Sequence, residues 1–289
     1  MQTGIAEDDY EIILIDNGST LPFDEALIRS LVPNIHIHRM KKPGPSPVKA
    51  INCGLEMARG DLVGVFIDGA RMVTPGLLSQ AVKAAQIYEH PVIGTLAFHL
   101  GSEVQMTSVP KGYNAAVEDA LMHTVDWQAD GYSLFYVSVL AGSSAQGWFE
   151  IPAEANALFM RADDWRDLGG YDEGFVAPGG GLANLDMWKR ACDRHADEVV
   201  VLLGEATFHQ VHGGIATNSP NPPHAAFHDE YVRLRGMPFT RPDIRPQFFG
   251  KIHPGMLDSL QKSVEEMDTA AGNPSKLTRL PLHRYRSGL

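Results

Sequence analysis

Five short apolar runs constrain the fold of this chain more than any other feature: Ile12–Ile15, Leu62–Ile67, Pro91–Phe98, Ala157–Met160 and Val199–Leu203. Each is near-continuous rather than alternating, the pattern of a strand covered on both faces. Between the early runs the spacing becomes helical. Phe23, Leu27 and Leu31 recur at i+4, with Ser19 or Thr20 placed to cap the helix; Val48, Ile51, Leu55 and Ala58 follow, with Gly60 as the stop; Leu77–Tyr88 is helical again. Ile35 and Ile37 alternate with His36 and His38, a short strand near an edge. Strands alternating with helices in this order predict an α/β fold, a mostly parallel central sheet flanked by helices.

Residues 99–150 are less regular. Asn114–Trp127 reads as a helix, Tyr132–Leu140 as strand-like and Gly142–Gly147 as a small-residue loop. After Met160 a short helix opens at Asp163 and ends at Gly169-Gly170, with the Asp163-Asp164 pair read as its cap. A glycine run at Gly179–Gly181 then precedes a helix over Leu182–Arg194. Beyond Gly214 the composition shifts to Pro, His, Asn and Arg. The chain therefore divides into a main domain over 1–215 and a C-terminal extension over 216–289, with helical pieces near 224–235 and 254–268 packing on it.

The net charge of -11 argues against nucleic acid and anionic membranes as general partners. Cys53 and Cys192 lie in apolar helical patterns and read as buried reduced thiols, not a disulfide. No apolar run approaches the ~20 residues of a membrane span. The opening MQTGIAEDDY is acidic and lacks the apolar stretch of a signal peptide, so a cytoplasmic location is expected.

Five segments, in order, carry a resemblance: EIILIDNGST (11–20), KAINCGLEMARGD (49–61), VFIDGA (65–70), FMRADDWRDLGGYDE (159–173) and GGGLANLDMWKR (179–190). Together they resemble a family-2 glycosyltransferase of the GT-A fold, over roughly residues 10 to 215. The resemblance implies a Rossmann-like nucleotide-sugar domain. It would move a sugar from a nucleotide-diphospho-sugar, a UDP-sugar being favoured, to a hydroxyl of an unknown glycan or small-molecule acceptor. Such chemistry needs a pocket for the base, positive charge for the departing diphosphate and a carboxylate to take the acceptor's proton.

The resemblance assigns roles residue by residue. Asp16, with Asn17 beside it, ends the first strand where the donor's base would pair; an Asx-turn is the alternative. Lys49 and Asn52 share a helix face near base and phosphates, or are a solvated lysine and a packing asparagine. Asp68 is the first acid of a D-x-D metal motif whose second place is taken by Ala70, a degenerate motif. A divalent cation, Mn or Mg, would bridge the phosphates there, with His212 of FHQVHGG as its second protein ligand. Arg71 could hold a phosphate oxygen instead of the metal. Asp186 is the candidate general base and Asn184 a sugar or acceptor contact, although Ala183 stands where many relatives carry an acid. Trp148 could stack on an acceptor sugar or be a core tryptophan.

The family usually has a further strand and helix before the one at Ile12. A late start, a missing strand or a second chain filling the gap would each account for this, and self-association is the expectation to test. The losses at Ala70 and Ala183 keep a second reading open, a catalytically weak nucleotide- or glycan-binding module. A nucleotidyltransferase would want a glycine- and basic-rich phosphate loop near the N-terminus, and none stands there.

Overall fold

The computed structural model describes residues 1–21, 23–67, 70–214 and 223–270. Its strands are β1 (Ile12–Asp16), β2 (Ile35–Arg39), β3 (Leu62–Phe66), β4 (Arg71–Val73), β5 (Val92–Leu100), β6 (Ser138–Leu140), β7 (Ala157–Arg161), β8 (Val199–His209) and β9 (Gln247–Gly250). The helices are α1 (Glu25–Leu31), α2 (Val48–Met57), α3 (Leu77–Ala85), α4 (Gln105–Ser108), α5 (Ala115–Met122), α6 (Ala162–Asp167), α7 (Ala183–Arg194), α8 (His224–Arg235) and α9 (Leu257–Ala270).

The α/β class is as expected, but the sheet is mixed rather than mostly parallel. β1 and β2 pair in parallel as a sheet of their own. The larger sheet runs β3-β7-β5-β8-β4, with β6 added to β5 and β9 to β8. β5/β8 and β8/β9 are parallel, whereas β3/β7, β5/β7, β4/β8 and β5/β6 are antiparallel. The apolar runs record that both faces of a strand are covered, not which way its neighbour runs, so they carry no information on direction. β5 is buried along its whole length and β8 at every position but Leu203.

Three apolar clusters cover these central strands. Trp188, Met187, Tyr171 and Phe175 pack with Val92 and Val199 on one side. α3 packs Leu77, Ala81 and Ala84 against Ile93, Phe159 and Val200. Toward the carboxyl ends of β5 and β8, Phe98, Phe208, Phe135, Trp148 and Met256 form the third.

Several local expectations are corrected. Asp24, not Ser19 or Thr20, caps α1, its carboxylate accepting from the Leu27 N–H at 3.0 Å. The strand-like 132–140 region is a 3-10 run over Gly131–Val137 followed by the short β6. The residues after 216 contribute a strand as well as helices. β9 lies beside β8 so closely that a Cβ at Gly204 would sit 1.8 Å from the Lys251 carbonyl oxygen, and one at Gly250 would sit 2.0 Å from that of Leu203. Both glycines have positive φ, +84° and +145°, which a side chain would also disfavour. No described helix is long and apolar enough to cross a membrane.

Candidate functional site

The sheet register assembles a row of side chains at the carboxyl ends of β5 and β8. Arg71 of β4 lies opposite His209 of β8, and His209 lies opposite His99 of β5. Directly opposed residues point to the same face, so three strands present Arg71, His209 and His99 side by side. Gln105, the first residue of α4, ties the row together. Its backbone N–H donates to His99 Nδ1 at 2.8 Å, its Oε1 meets His209 Nδ1 at 2.6 Å, and its Nε2 donates to the His209 carbonyl at 3.0 Å. The amide oxygen can only accept, so His209 carries its proton on Nδ1 and turns Nε2 toward His212, whose Nε2 is 3.2 Å away.

His99 is 4% exposed, and its pKa is pushed down to about 3, first by burial and then by the neighbouring His209 and Arg71. It is a neutral imidazole that accepts at Nδ1. Arg71 donates from Nε to the Ile67 carbonyl at 2.9 Å. Glu118 of α5 receives the Val211 N–H on both oxygens, at 3.1 and 3.0 Å, and the Tyr113 hydroxyl at 3.0 Å. Burial raises the Glu118 pKa against those bonds. This row can place positive charge and paired imidazole nitrogens at a sheet edge. Asp68, expected to share the metal with His212, lies outside the described residues.

A second group gathers at the end of β1. Asp16 Oδ1 accepts from the N–H groups of Gly18 (3.0 Å) and Ser19 (2.7 Å), an Asx-turn, and Arg39 Nε is 3.8 Å from Oδ2. The bonds from Ser19, then that from Gly18, hold its pKa below the usual carboxylate value despite burial. Asn17 Nδ2 donates to the carbonyls of Gly44 (2.9 Å) and Ser46 (3.3 Å), stapling the proline-containing loop Lys41–Pro47 that precedes α2. That loop meets the glycine run: the Gly179 N–H donates to the Pro45 carbonyl at 3.0 Å, and Ser46 Oγ donates to the Phe175 carbonyl at 2.7 Å. The structure thus brings Asp16, Asn17 and residues 179–181 together from distant parts of the chain.

Lys49 and Asn52 leave α2 with different partners. Lys49 Nζ is exposed, 3.8 Å from Glu173. Asn52 clamps the backbone of Tyr171, accepting its N–H at 2.9 Å and donating to its carbonyl at 2.8 Å. Gly170 completes that contact, because a Cβ there would lie 2.8 Å from Asn52 Oδ1.

The helix that follows the glycines holds a buried ion cluster. Asp186 is 1% exposed, with Arg235 Nε donating to Oδ1 at 2.6 Å, Arg235 Nη2 to Oδ2 at 2.7 Å and Arg190 Nε to Oδ2 at 2.9 Å. Arg235 Nη1 also donates to Asp172 at 2.8 Å, and its guanidinium lies 5.4 Å over the Phe175 ring. The Asp186 bond, before that to Asp172, raises the Arg235 pKa further above its usual value. Asn184 accepts from the Tyr171 hydroxyl at 3.0 Å and donates to Glu154 Oε2 at 3.0 Å and the Ala155 carbonyl at 3.1 Å. Trp148 is in the core: fully buried, it donates from Nε1 to Ser259 Oγ at 2.8 Å and from its backbone to Ser263 Oγ at 3.0 Å. Its ring packs near Phe98 and Phe135, so no face is offered to a sugar.

A cleft of about 1100 Å³ opens beside this cluster, lined by Asn52, Trp165, Tyr171, Asp172, Arg190 and Arg235 among others. It is separate from the His99–His209 row. Sequence reasoning missed His99, Gln105, Glu118, Arg190 and Arg235. Only His99 had a legible signal, a polar residue closing an apolar strand, as at Asp16.

The fold and these groups define an α/β protein with polar side chains gathered at the carboxyl ends of its central strands, where α/β sheets bind ligands. Residues 2–141, just under half of the chain, match the family model for glycosyl transferase family 2, and over that stretch the resemblance read from the sequence is borne out. The segments at 159–173 and 179–190 lie outside the match. No curated protein matches the chain in sequence. Similar solved structures include S. aureus TarS 1–349 in complex with UDP, at 13% identity and TM-score 0.45, covering 81% of this chain and 65% of that one. The same TarS segment with UDP-GlcNAc is similar at 14% identity and TM-score 0.45, covering 80% and 58%. GalNAc-T7 with UDP, GalNAc and Mn2+ is similar at 15% identity and TM-score 0.48, covering 78% and 41%. The chain thus spans less than two thirds of each of these, and likeness at such scores carries no argument about function.

Proposed function

We propose that this chain is a glycosyltransferase that moves a sugar from a nucleotide-diphospho-sugar, a UDP-sugar by preference, to an acceptor hydroxyl in glycan synthesis. The observation that carries the reading is the family-2 match over residues 2–141, because that stretch contains Asp16, Asn17, Lys49, Asn52, Asp68 and Arg71. In this reading the base lies by Asp16 and Asn17, and the diphosphate lies toward Arg71. Lys49, whose partner Glu173 is also exposed, can turn to a phosphate with little loss. Asn52 contributes by fixing Tyr171 rather than by touching the donor.

A divalent cation fits the residues present to the extent that two imidazole nitrogens 3.2 Å apart, on His209 and His212, match neighbouring positions around one ion, roughly 3 Å apart for metal bonds near 2.1 Å. Asp68 and His212 would hold it, with His209 alongside. Its chemistry would be to neutralise charge on the departing diphosphate. Arg71 supplies part of that charge by itself.

For the proton-accepting carboxylate, Asp186 remains the candidate from sequence, but its bonds to two guanidinium groups support a positioning role. Glu154, half-buried and held by Asn184, is the alternative base. If neither serves, the chain is a nucleotide- or glycan-binding module, a reading that the occupied Asp186 favours.

Thermal-shift titration of the full chain with UDP-, GDP- and dTDP-sugars, with manganese, magnesium or EDTA, tests the donor. A shift with one nucleotide class is expected, reduced in Arg71→Ala. No shift with any of them would overturn donor binding. Sugar transfer to water or a glycan mixture, followed by nucleotide release, then separates the enzyme from the binding module.

A further inference from the structure

Among the described residues, one group of three metal-ligating side chains brings its ligand atoms within 4.8 Å of one another: His90, Asp164 and His195. It has no part in the proposed donor site. His90 stands just before β5 and His195 just before β8, while Asp164 lies in α6, which follows β7. The cluster is therefore at the amino ends of the two strands whose carboxyl ends carry His99 and His209. The nine residues from His90 to His99, at ~3.3 Å each, put the two ends roughly 30 Å apart.

We propose that His90, Asp164 and His195 form a structural divalent-cation site of the zinc type. Three observations converge on it. The first is spacing. His90 Nδ1 is 2.8 Å and His195 Nε2 is 3.7 Å from Asp164 Oδ1. Two bonds of about 2.0–2.1 Å at a tetrahedral angle end roughly 3.3 Å apart, so the two distances bracket what one ion requires. The second is an unsatisfied atom. Asp164 is 2% exposed, and its Oδ2 has no hydrogen-bond partner although buried carboxylate oxygens are normally satisfied. The hydrogen bond from His90 accounts for Oδ1 alone. A cation drawn onto the carboxylate compensates the rest of its buried charge.

The third is the arrangement of the rings. His90 and His195 stack at 5.0 Å between centroids and 17° between planes, so both present an edge to the same carboxylate. Two imidazoles and one carboxylate are a donor set suited to zinc, cobalt or nickel rather than magnesium or calcium. Glu198, which accepts the His90 backbone N–H, and Glu89, 4.0 Å from His90 Nε2, add negative field and orient the His90 segment. His90 is exposed, which gives the ion a route in and leaves room for a water as fourth ligand. The site would tie the entry to β5, the exit from β7 and the entry to β8 into one unit. The Asp163-Asp164 pair, expected only to cap its helix, thus has a different use at Asp164: α6 has no side-chain cap.

The test uses the full chain dialysed against EDTA and titrated with zinc chloride by calorimetry, with cobalt(II) absorption as a second readout. One zinc equivalent is expected to bind and to raise the melting temperature by roughly 5 °C at a hundredfold excess over Kd, with a four-coordinate cobalt spectrum. His90→Ala removes an exposed side chain, so the fold persists, and it should lose that equivalent or weaken it by about tenfold or more. Asp164→Asn should do the same. His212→Ala should leave it intact, which separates it from any ion at the donor site. Absence of zinc binding, or an equivalent that survives both His90→Ala and His195→Ala, overturns the proposal whatever the outcome with nucleotide-sugars.

Discussion

Replacing Arg235 with alanine isolates the buried ion cluster. Arg235 reaches Asp186 through two bonds of 2.6 and 2.7 Å and Asp172 through one of 2.8 Å. Asp186 is 1% exposed, so water cannot take over when the guanidinium goes. Removing one partner of a buried pair costs about 3–5 kcal/mol, most of it from the charge left behind. Arg190, 2.9 Å from Oδ2, remains, and the Arg235 side chain is itself 24% exposed. Both reduce the loss toward the lower end. The guanidinium over Phe175 adds roughly 0.5–1 kcal/mol. The expected destabilisation is about 3 kcal/mol, a fall in melting temperature of roughly 5 °C for a protein of this size.

Urea unfolding followed by circular dichroism measures it, in a cycle with Asp186→Asn. The amide removes the charge that Arg235→Ala strands, so the double variant should be less destabilised than the sum of the singles by about 1 kcal/mol or more. An Arg235→Ala loss below about 0.5 kcal/mol, or an additive cycle, would refute the argument that Asp186 is a buried charge dependent on this partner.

His99, held neutral with a pKa of about 3, takes up its proton in the unfolded chain first as pH falls from about 6.5. The unfolded state binds more protons in that window, so stability present above pH 6.5 is lost toward pH 3, by about 1.4 kcal/mol per pH unit for this group. His99→Gln should flatten the dependence of the urea midpoint on pH by that slope; an unchanged slope counts against it. Gly204→Ala should detach β9 from β8, because its Cβ would fall 1.8 Å from the Lys251 carbonyl oxygen; hydrogen exchange over 247–250 should rise, and protection there equal to wild type contradicts the packing. Glu154→Gln and Asp186→Asn part on transfer assays: loss of kcat with KM unchanged in Glu154→Gln alone supports Glu154 as base, and the reverse restores Asp186.

What was legible in the sequence was the set of buried strands and the ends they share. The runs Ile12–Ile15, Leu62–Ile67 and Val199–Leu203 fall on β1, β3 and β8 as expected, with Ile67 alone just past its strand, because apolar continuity reports burial on two faces directly. Strand direction was not legible, and neither was β4, whose three residues Arg71–Val73 are too few for a periodicity. β9 was hidden in a polar, proline-rich stretch, since its pairing depends on Gly204 and Gly250 allowing two backbones to meet. At the site, Asp16 and Asn17 stood out because one closes a strand and the other follows it. Arg190 and Arg235 did not, since a surface arginine and a buried one look alike until a carboxylate is placed beside it.

The difference between Asp16 and Asp186 follows from how each is neutralised. Asp16 closes a strand, and its Oδ1 is satisfied by the N–H groups of the turn it starts, so the next few residues already specify that bond. Its other oxygen has Arg39 Nε only at 3.8 Å, a contact longer than a hydrogen bond. Asp186 is compensated by Arg190 one helical turn away and by Arg235, which is 49 residues further along the chain. A carboxylate satisfied locally on one side can serve binding; one satisfied on both oxygens by guanidinium groups, one of them from a distant helix, is committed to holding α7 and α8 together. The donor half of the proposed reaction therefore rests on residues the sequence itself marks, while the acceptor half depends on which carboxylate near α7 keeps an oxygen available, and Glu154 meets that condition better than Asp186.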